Sequence, residues 1–244
     1  MSNRPFESEI QNPYQSVPVI EVASTERATF IRKTYLHLAL ALAAFAGIET
    51  AILSIPNILE IVGNMLTVSK YSWLVVLGAF MLVSWVAERW AMSSTSKGMQ
   101  YAGLFLYVTA QAIIFVPLMA VAVFVADATV LPNALLITGF LFTGLTLVVF
   151  TTRKDFSFMG GILKIGGLLA MGFIVASIVF GFSLGLLFSF VMVAFAGGAI
   201  LYSTSNVLHH YHTEQYVAAA LSLFAAVALL LWYVLRILLA FGRD

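Results

Sequence analysis

Tyr35-Leu-His-Leu-Ala-Leu-Ala-Leu-Ala-Ala-Phe-Ala-Gly-Ile-Glu49-Thr-Ala-Ile-Leu-Ser-Ile55 is an apolar run that carries one imidazole and one carboxylate. About 18 or more apolar residues, rising about 1.5 Å each, suffice to cross roughly 30 Å of hydrocarbon. The run therefore predicts a transmembrane helix. It also makes Glu49 a functional suspect, because an ionised acid at the bilayer centre costs about 2.5–3.5 kcal/mol on insertion scales and normally faces a cavity or a partner.

Outward from this run the pattern repeats. The chain has 244 residues, 61% of them hydrophobic and 9% charged, where average soluble domains carry about 25% charged residues. No soluble globule could hide that much apolar surface. Spans are predicted at residues 34–55, 71–90, 101–125, 132–150, 158–180, 184–202 and 215–241, all helical, since a helix satisfies its own backbone hydrogen bonds in lipid. The fold class is an all-α, polytopic integral membrane protein, a seven-transmembrane-helix bundle filling residues 31–244. Residues 1–30, with Pro5, Pro13 and Pro18 among Asn, Gln, Ser and Glu, read as a disordered polar cytoplasmic tail. The first span is too long for a signal h-region and is retained.

Lys and Arg fall mostly at one end of the spans: Arg27, Arg32, Lys33, Arg89, Lys97, Arg153 and Lys154, against Lys70, Arg236 and Arg243 at the other. The positive-inside rule then puts the N-terminus in the cytoplasm and the C-terminus outside. Lys164 snorkels back to the inner interface. Gly166 and Ala170, Gly172 and Ala176, and Ala194 and Gly198 lie four apart, a spacing that lets helices approach closely. A net charge of +1 with scattered cations excludes a nucleic-acid partner. The absence of cysteine excludes disulfides and thiolate chemistry. No cofactor and no resident metal are expected.

Several constellations could carry chemistry. Gly181-Phe-Ser183-Leu-Gly185 fits the G-x-S-x-G elbow of a serine hydrolase, but it falls outside while the histidines that could serve as its base fall inside. It reads better as a tight hairpin turn, and no enzymatic activity is expected. His209 with His212, and His210 with Glu214, have metal-pair spacing on a helix but lack a third ligand. They read as a solvated interfacial loop or a pH sensor. Glu88 and Arg89 beside Trp90 read as headgroup contacts, and Asp127 as solvated. Gln111, mid-span and neutral, is a candidate hydrogen-bond partner for Glu49. Glu49 itself serves either an ion, proton or substrate pathway or structural hydrogen bonding.

Thr143-Gly-Leu-Thr-Leu-Val-Val-Phe-Thr-Thr-Arg-Lys-Asp155-Phe-Ser-Phe-Met-Gly160-Gly161 resembles the central signature of the Bax inhibitor-1 family, also called the transmembrane Bax-inhibitor-motif family. Arg27-Ala-Thr-Phe-Ile-Arg-Lys-Thr-Tyr35 resembles the start of that family's first helix, and Tyr216-Val-Ala-Ala-Ala-Leu-Ser-Leu-Phe224 its seventh. The short tail resembles the bacterial branch, which implies the cell (inner) membrane. The resemblance implies regulation of a membrane-bound protease or other membrane complex, or a pH-sensitive calcium or proton leak; a small-metabolite permease is a third alternative. Family members that leak calcium carry aspartates at positions occupied here by Ser203 and Ala226. Two carboxylates can share a proton and hold a hard cation, whereas Ser and Ala cannot. The substitution favours the regulator, a non-enzymatic role. Any remaining ion path or proton sensing falls to Glu49, Gln111, His209, His210 and His212.

Overall fold

A helix that is apolar on every side has no face to give to water and belongs inside a bundle or in lipid. The segment from Tyr216 to Phe241 is of this kind, and in the computed structural model, which describes residues 18–67, 71–93 and 96–242, it is the hub. The described elements run α1 (Ser24–Leu53), α2 (Ile58–Thr67), α3 (Ser72–Ala91), α4 (Lys97–Phe124), α5 (Val130–Thr152), α6 (Met159–Phe180), α7 (Gly185–His209) and α8 (Tyr216–Phe241). Seven of them are long and apolar enough to cross a membrane, as the sequence predicts.

Around α8 stand α1, α3, α4, α5 and α7, while α6 leans chiefly on α7 at the rim. Val217, Ala219 and Ala220 at the start of α8 are completely buried, because small side chains let the neighbouring backbones close in. Further along, Phe45 of α1, Tyr107 and Phe115 of α4, and Phe224 and Trp232 of α8 form an edge-on aromatic cluster with centroids 4.9–6.2 Å apart. The outer faces are apolar too: Phe140, Phe180 and Leu187 are at least 75% exposed, which suits hydrocarbon and not water.

The ends of the helices differ from the expected spans. Composition extends the polar tail to residue 30, whereas α1 begins at Ser24. Ahead of it Val19 is fully buried, and its N–H donates to the carbonyl of Tyr211 at 2.9 Å. Hydropathy marks where the chain leaves hydrocarbon; helical hydrogen bonding continues into the interface. For the same reason α7 runs to His209 instead of stopping near residue 202. The short helix α2 was not foreseen. It is too short to span, and it lays Ile58 and Val62 against Val116 of α4. Residues 1–17, Lys70 and Arg243 lie outside the described residues.

Small residues behave unevenly. Gly166 meets Phe195 and Gly198 meets Met159, so α6 and α7 do close on glycine, whereas Gly172 faces open space and Ala194 is exposed. The tightest approach among the described glycines lies elsewhere, where Gly103 of α4 is pressed against the backbone of Ala87 and Ala91 in α3.

Candidate functional site

One stripe of α8 faces inward onto empty space: Ala218, Ser222, Ala226, Leu229, Trp232, Arg236 and Ala240 line a cavity of about 1160 Å³. From Ala218 to Ala240 the helix axis rises about 33 Å, so the cavity runs the depth of a bilayer. Its other walls come from α3, α4, α6 and α7. The waist is apolar, with Leu77, Phe80, Ile114 and Met171, and Gln111 is its mid-depth amide.

The two ends are polar and unlike each other. At the end where α1 begins, the basic face, the lining includes Glu88, Lys164, Tyr202, Ser203, Tyr211 and Ser222. Ser203 Oγ and Ser222 Oγ share a hydrogen bond of 2.8 Å across α7 and α8. Burial pushes the Tyr211 phenol up, against a hydrogen bond from its side chain to Ser222 that pulls it down. Ala226 lies one turn further along the same stripe and contributes no polar atom. At the opposite face stand Ser183, Gly185, Ser189 and Arg236.

Glu49 is not part of this lining. It ends the buried stripe of α1 formed by Phe30, Thr34, Leu38, Ala41 and Phe45, and it is 2% exposed with neither carboxylate oxygen hydrogen-bonded. The expected bond from Gln111 is not made. Phe45 meets Phe115 edge-on; Glu49 lies one turn beyond the first and Gln111 one turn short of the second, an axial offset of about 12 Å.

The histidines diverge instead of converging. His209 sits in the last turn of α7, its ring 2.9 Å from the Ser205 carbonyl. His210 Nε2 pairs with Asp155 Oδ2 at 3.0 Å, and His212 pairs through its backbone with Pro18. Among the described residues no three His, Asp or Glu side chains gather as a metal site. Ser183 lies just ahead of α7 and His209 at its far end, about 36 Å of helix away, so the histidine that could serve as a base is not near the G-x-S-x-G stretch. Gly181 and Gly185 hold φ of 75° and 67°, the left-handed values of a hairpin turn. Asp127 is an exposed turn residue: its carboxylate accepts from the Thr129 hydroxyl and N–H, which hold its pKa below the usual range.

Several residues take larger roles than the sequence pattern gives them. Asp155, inside the central signature, is the knot of the basic face. Its Oδ1 accepts from the Ser157 N–H at 2.8 Å and from Ser205 Oγ at 3.2 Å, and Ser205 Oγ in turn accepts from the Phe156 N–H. Partial burial alone would raise the Asp155 pKa, but the Ser157 bonds and His210 outweigh it and bring it to about 2. The left-handed Arg153 that ends α5 turns the chain into this knot. A second polar group joins α1, α4 and α8: His37 reaches Tyr101, Tyr101 reaches Tyr216, and Lys97 pairs with Glu214. The sequence reads Glu88 as a headgroup contact. Yet Trp73, Leu77, Phe80 and Glu88 fall within one narrow arc of α3, a periodicity that the sequence does contain and that turns the acid into the cavity.

Seven membrane-length helices, five of which line a bilayer-deep cavity with unlike polar ends, define a polytopic helical membrane protein with a ligand-sized interior. The chain belongs to the family described as "Inhibitor of apoptosis-promoting Bax1", which it matches over residues 27–243. It is similar to an uncharacterised protein of Pseudomonas aeruginosa, 34% identical over 117 residues, 48% of this chain and 52% of that one. It is 36% identical over 108 residues to "Modulator of FtsH protease YccA" of Escherichia coli, 44% of this chain and 49% of that one. "Bax inhibitor 1" of Schizosaccharomyces pombe is 27% identical over 249 residues, covering 95% of this chain and 86% of that one. The matches to the bacterial relatives span about half the length of each.

Proposed function

We propose that this chain is a non-enzymatic modulator of a membrane-bound protease of the FtsH kind, seated in a bacterial inner membrane with its basic face in the cytoplasm and its C-terminus outside. The observation that carries this reading is the Ser203–Ser222 pair with Ala226 above it: at the two positions where a calcium-leaking member of the family would hold carboxylates, this chain has a hydroxyl and a methyl group. Hydroxyls without a carboxylate hold a divalent cation poorly. The likeness to a relative named as a modulator of FtsH protease supports the partner. The ordered basic face, tied by Asp155 and by the Lys97–Glu214 pair, offers such a partner a fixed surface. The test is reconstitution of the purified protein with FtsH in liposomes while degradation of a membrane substrate is followed. The expected result is a changed rate and co-isolation of the two proteins; an unchanged rate without co-isolation overturns the proposal.

A second reading, a pH-sensitive passive leak of calcium or protons or permeation of a small metabolite, rests on the bilayer-deep cavity. Glu88 is the one acid among its described lining residues, while Glu49 would act from outside the lining. Flux of calcium and protons in proteoliposomes from about pH 5 to about pH 8, the range in which imidazole titrates, tests it. Flux that is absent in parent protein, or equal in parent, Glu88→Gln and Glu49→Gln, removes these acids from any pathway.

A further inference from the structure

The long cavity has an incomplete wall. Its two sides are α3 and α6, which barely touch, while α4, α7 and α8 form its back. In a membrane such a gap opens toward acyl chains and not toward water. Its volume of about 1160 Å³ exceeds the roughly 300–1,000 Å³ of ordinary small-molecule pockets. The apolar lining of the gap comes from Leu77 and Phe80 on one side and Leu163 and Met171 on the other.

At the basic-face mouth the gap carries one charge of each sign. Glu88 lies three residues before the end of α3 and Lys164 five residues into α6, so both stand about 5–8 Å inside the helix ends, at headgroup depth. Both line the cavity, and they form no ion pair with each other or with any other described residue. Tyr202 and Tyr211 add hydroxyls at the same mouth. Two unpaired opposite charges over an apolar slot match a molecule with an ammonium, a phosphate and acyl chains.

We propose that the cleft between α3 and α6 is a lipid-binding site for a zwitterionic glycerophospholipid of the surrounding bilayer, with its primary ammonium on Glu88, its phosphate on Lys164 and its acyl chains along the apolar walls. A primary ammonium fits better than a quaternary one, since it donates hydrogen bonds to a carboxylate. The inference does not depend on the protease reading; a protein with no effect on any protease would still hold the lipid.

The test uses full-length protein stripped of lipid in detergent and given back phosphatidylethanolamine, phosphatidylcholine or phosphatidylglycerol of identical acyl chains, read by native mass spectrometry. Phosphatidylethanolamine is expected to be retained above the other two, and Glu88→Gln or Lys164→Met each to weaken retention about tenfold, the worth of one charge-assisted hydrogen bond. A phosphatidylethanolamine with a photoreactive acyl chain is expected to label Leu163 and Met171 over Ile165 and Leu169. Those last two are well exposed on the other side of α6. Equal retention of the three lipids by unmutated protein overturns the proposal without recourse to any variant. So does labelling spread evenly around α6, or a partner's transmembrane helix crosslinked in the cleft in place of lipid.

Discussion

Replacing Gly103 by Ala perturbs a close approach of two helix backbones, that of α4 to α3. A Cβ at this position would sit 2.5 Å from the Ala87 carbonyl oxygen and 2.6 Å from the Ala91 nitrogen, about 0.9 Å inside the 3.4 Å at which ordinary contact begins. Both obstacles are backbone, so no rotamer can relieve them, and α3 must be pushed away from α4 along their shared length. Overpacking of this kind costs about 1–3 kcal/mol, and two backbone collisions put this site at the upper end. At about 2–4 °C per kcal/mol for a chain of this size, the melting temperature should fall by about 6–12 °C. Gly78 supplies the control on α3 itself, since a Cβ there meets nothing within 4 Å. Gly78→Ala should therefore stabilise by about 0.5–1 kcal/mol through helix propensity alone. Thermal unfolding in micelles, followed by the fluorescence of Trp73, Trp85 and Trp90, all on α3, gives both numbers. A Gly103→Ala protein that melts with the parent, or alongside Gly78→Ala, would refute the packing argument. Glu88 neighbours Ala87, so displacement of α3 should also disturb the cavity mouth and weaken lipid retention.

Three further outcomes are expected. Glu49→Leu should stabilise the protein by about 1–3 kcal/mol, because a buried carboxyl without hydrogen bonds is exchanged for apolar volume; a loss of stability on thermal unfolding would show that Glu49 has a partner in the membrane. The Asp155 carboxylate should make the knot sensitive to acid: its folded pKa of about 2 lies below the ordinary 3.8, so its contribution is complete above about pH 4 and is lost as pH falls through about 2. Hydrogen exchange at Phe156 and Ser157 should quicken across that window in the parent but not in Asp155→Asn, and a parent profile flat across it would contradict the assignment. Val19→Asp should release the segment ahead of α1, since Val19 is fully buried against the bundle; limited proteolysis at Arg27 should speed up, and unchanged cleavage would mean that the docking contributes nothing.

The spans were legible because a bilayer asks one thing of a helix, a long apolar stretch, and hydropathy reports it directly. The same signal is silent outside hydrocarbon. It could not reveal that α1 begins at Ser24, that α7 continues to His209, or that α2 lies between two spans. Side-chain direction was legible in part. Glu49 was recognised as buried, but its lack of any partner depends on the level at which α1 crosses α4, which no local pattern records. Glu88 was passed over because a carboxylate beside arginine and tryptophan at a span end resembles a headgroup contact, although its phase with Trp73, Leu77 and Phe80 pointed inward. Asp155 required contacts with Ser205 and His210, some fifty residues away in sequence.

The central position of α8 has a consequence for how the protein is made. The ribosome releases α1 to α7 before the helix that they enclose, so for a time they stand in the membrane around an unfilled axis. During that interval Phe45 and Phe115 have each other but lack Phe224 and Trp232, on which they close in the finished bundle. Completion then resembles the insertion of a keystone, and a defect confined to α8 should be sensed by quality-control proteases as a failure of all seven helices at once.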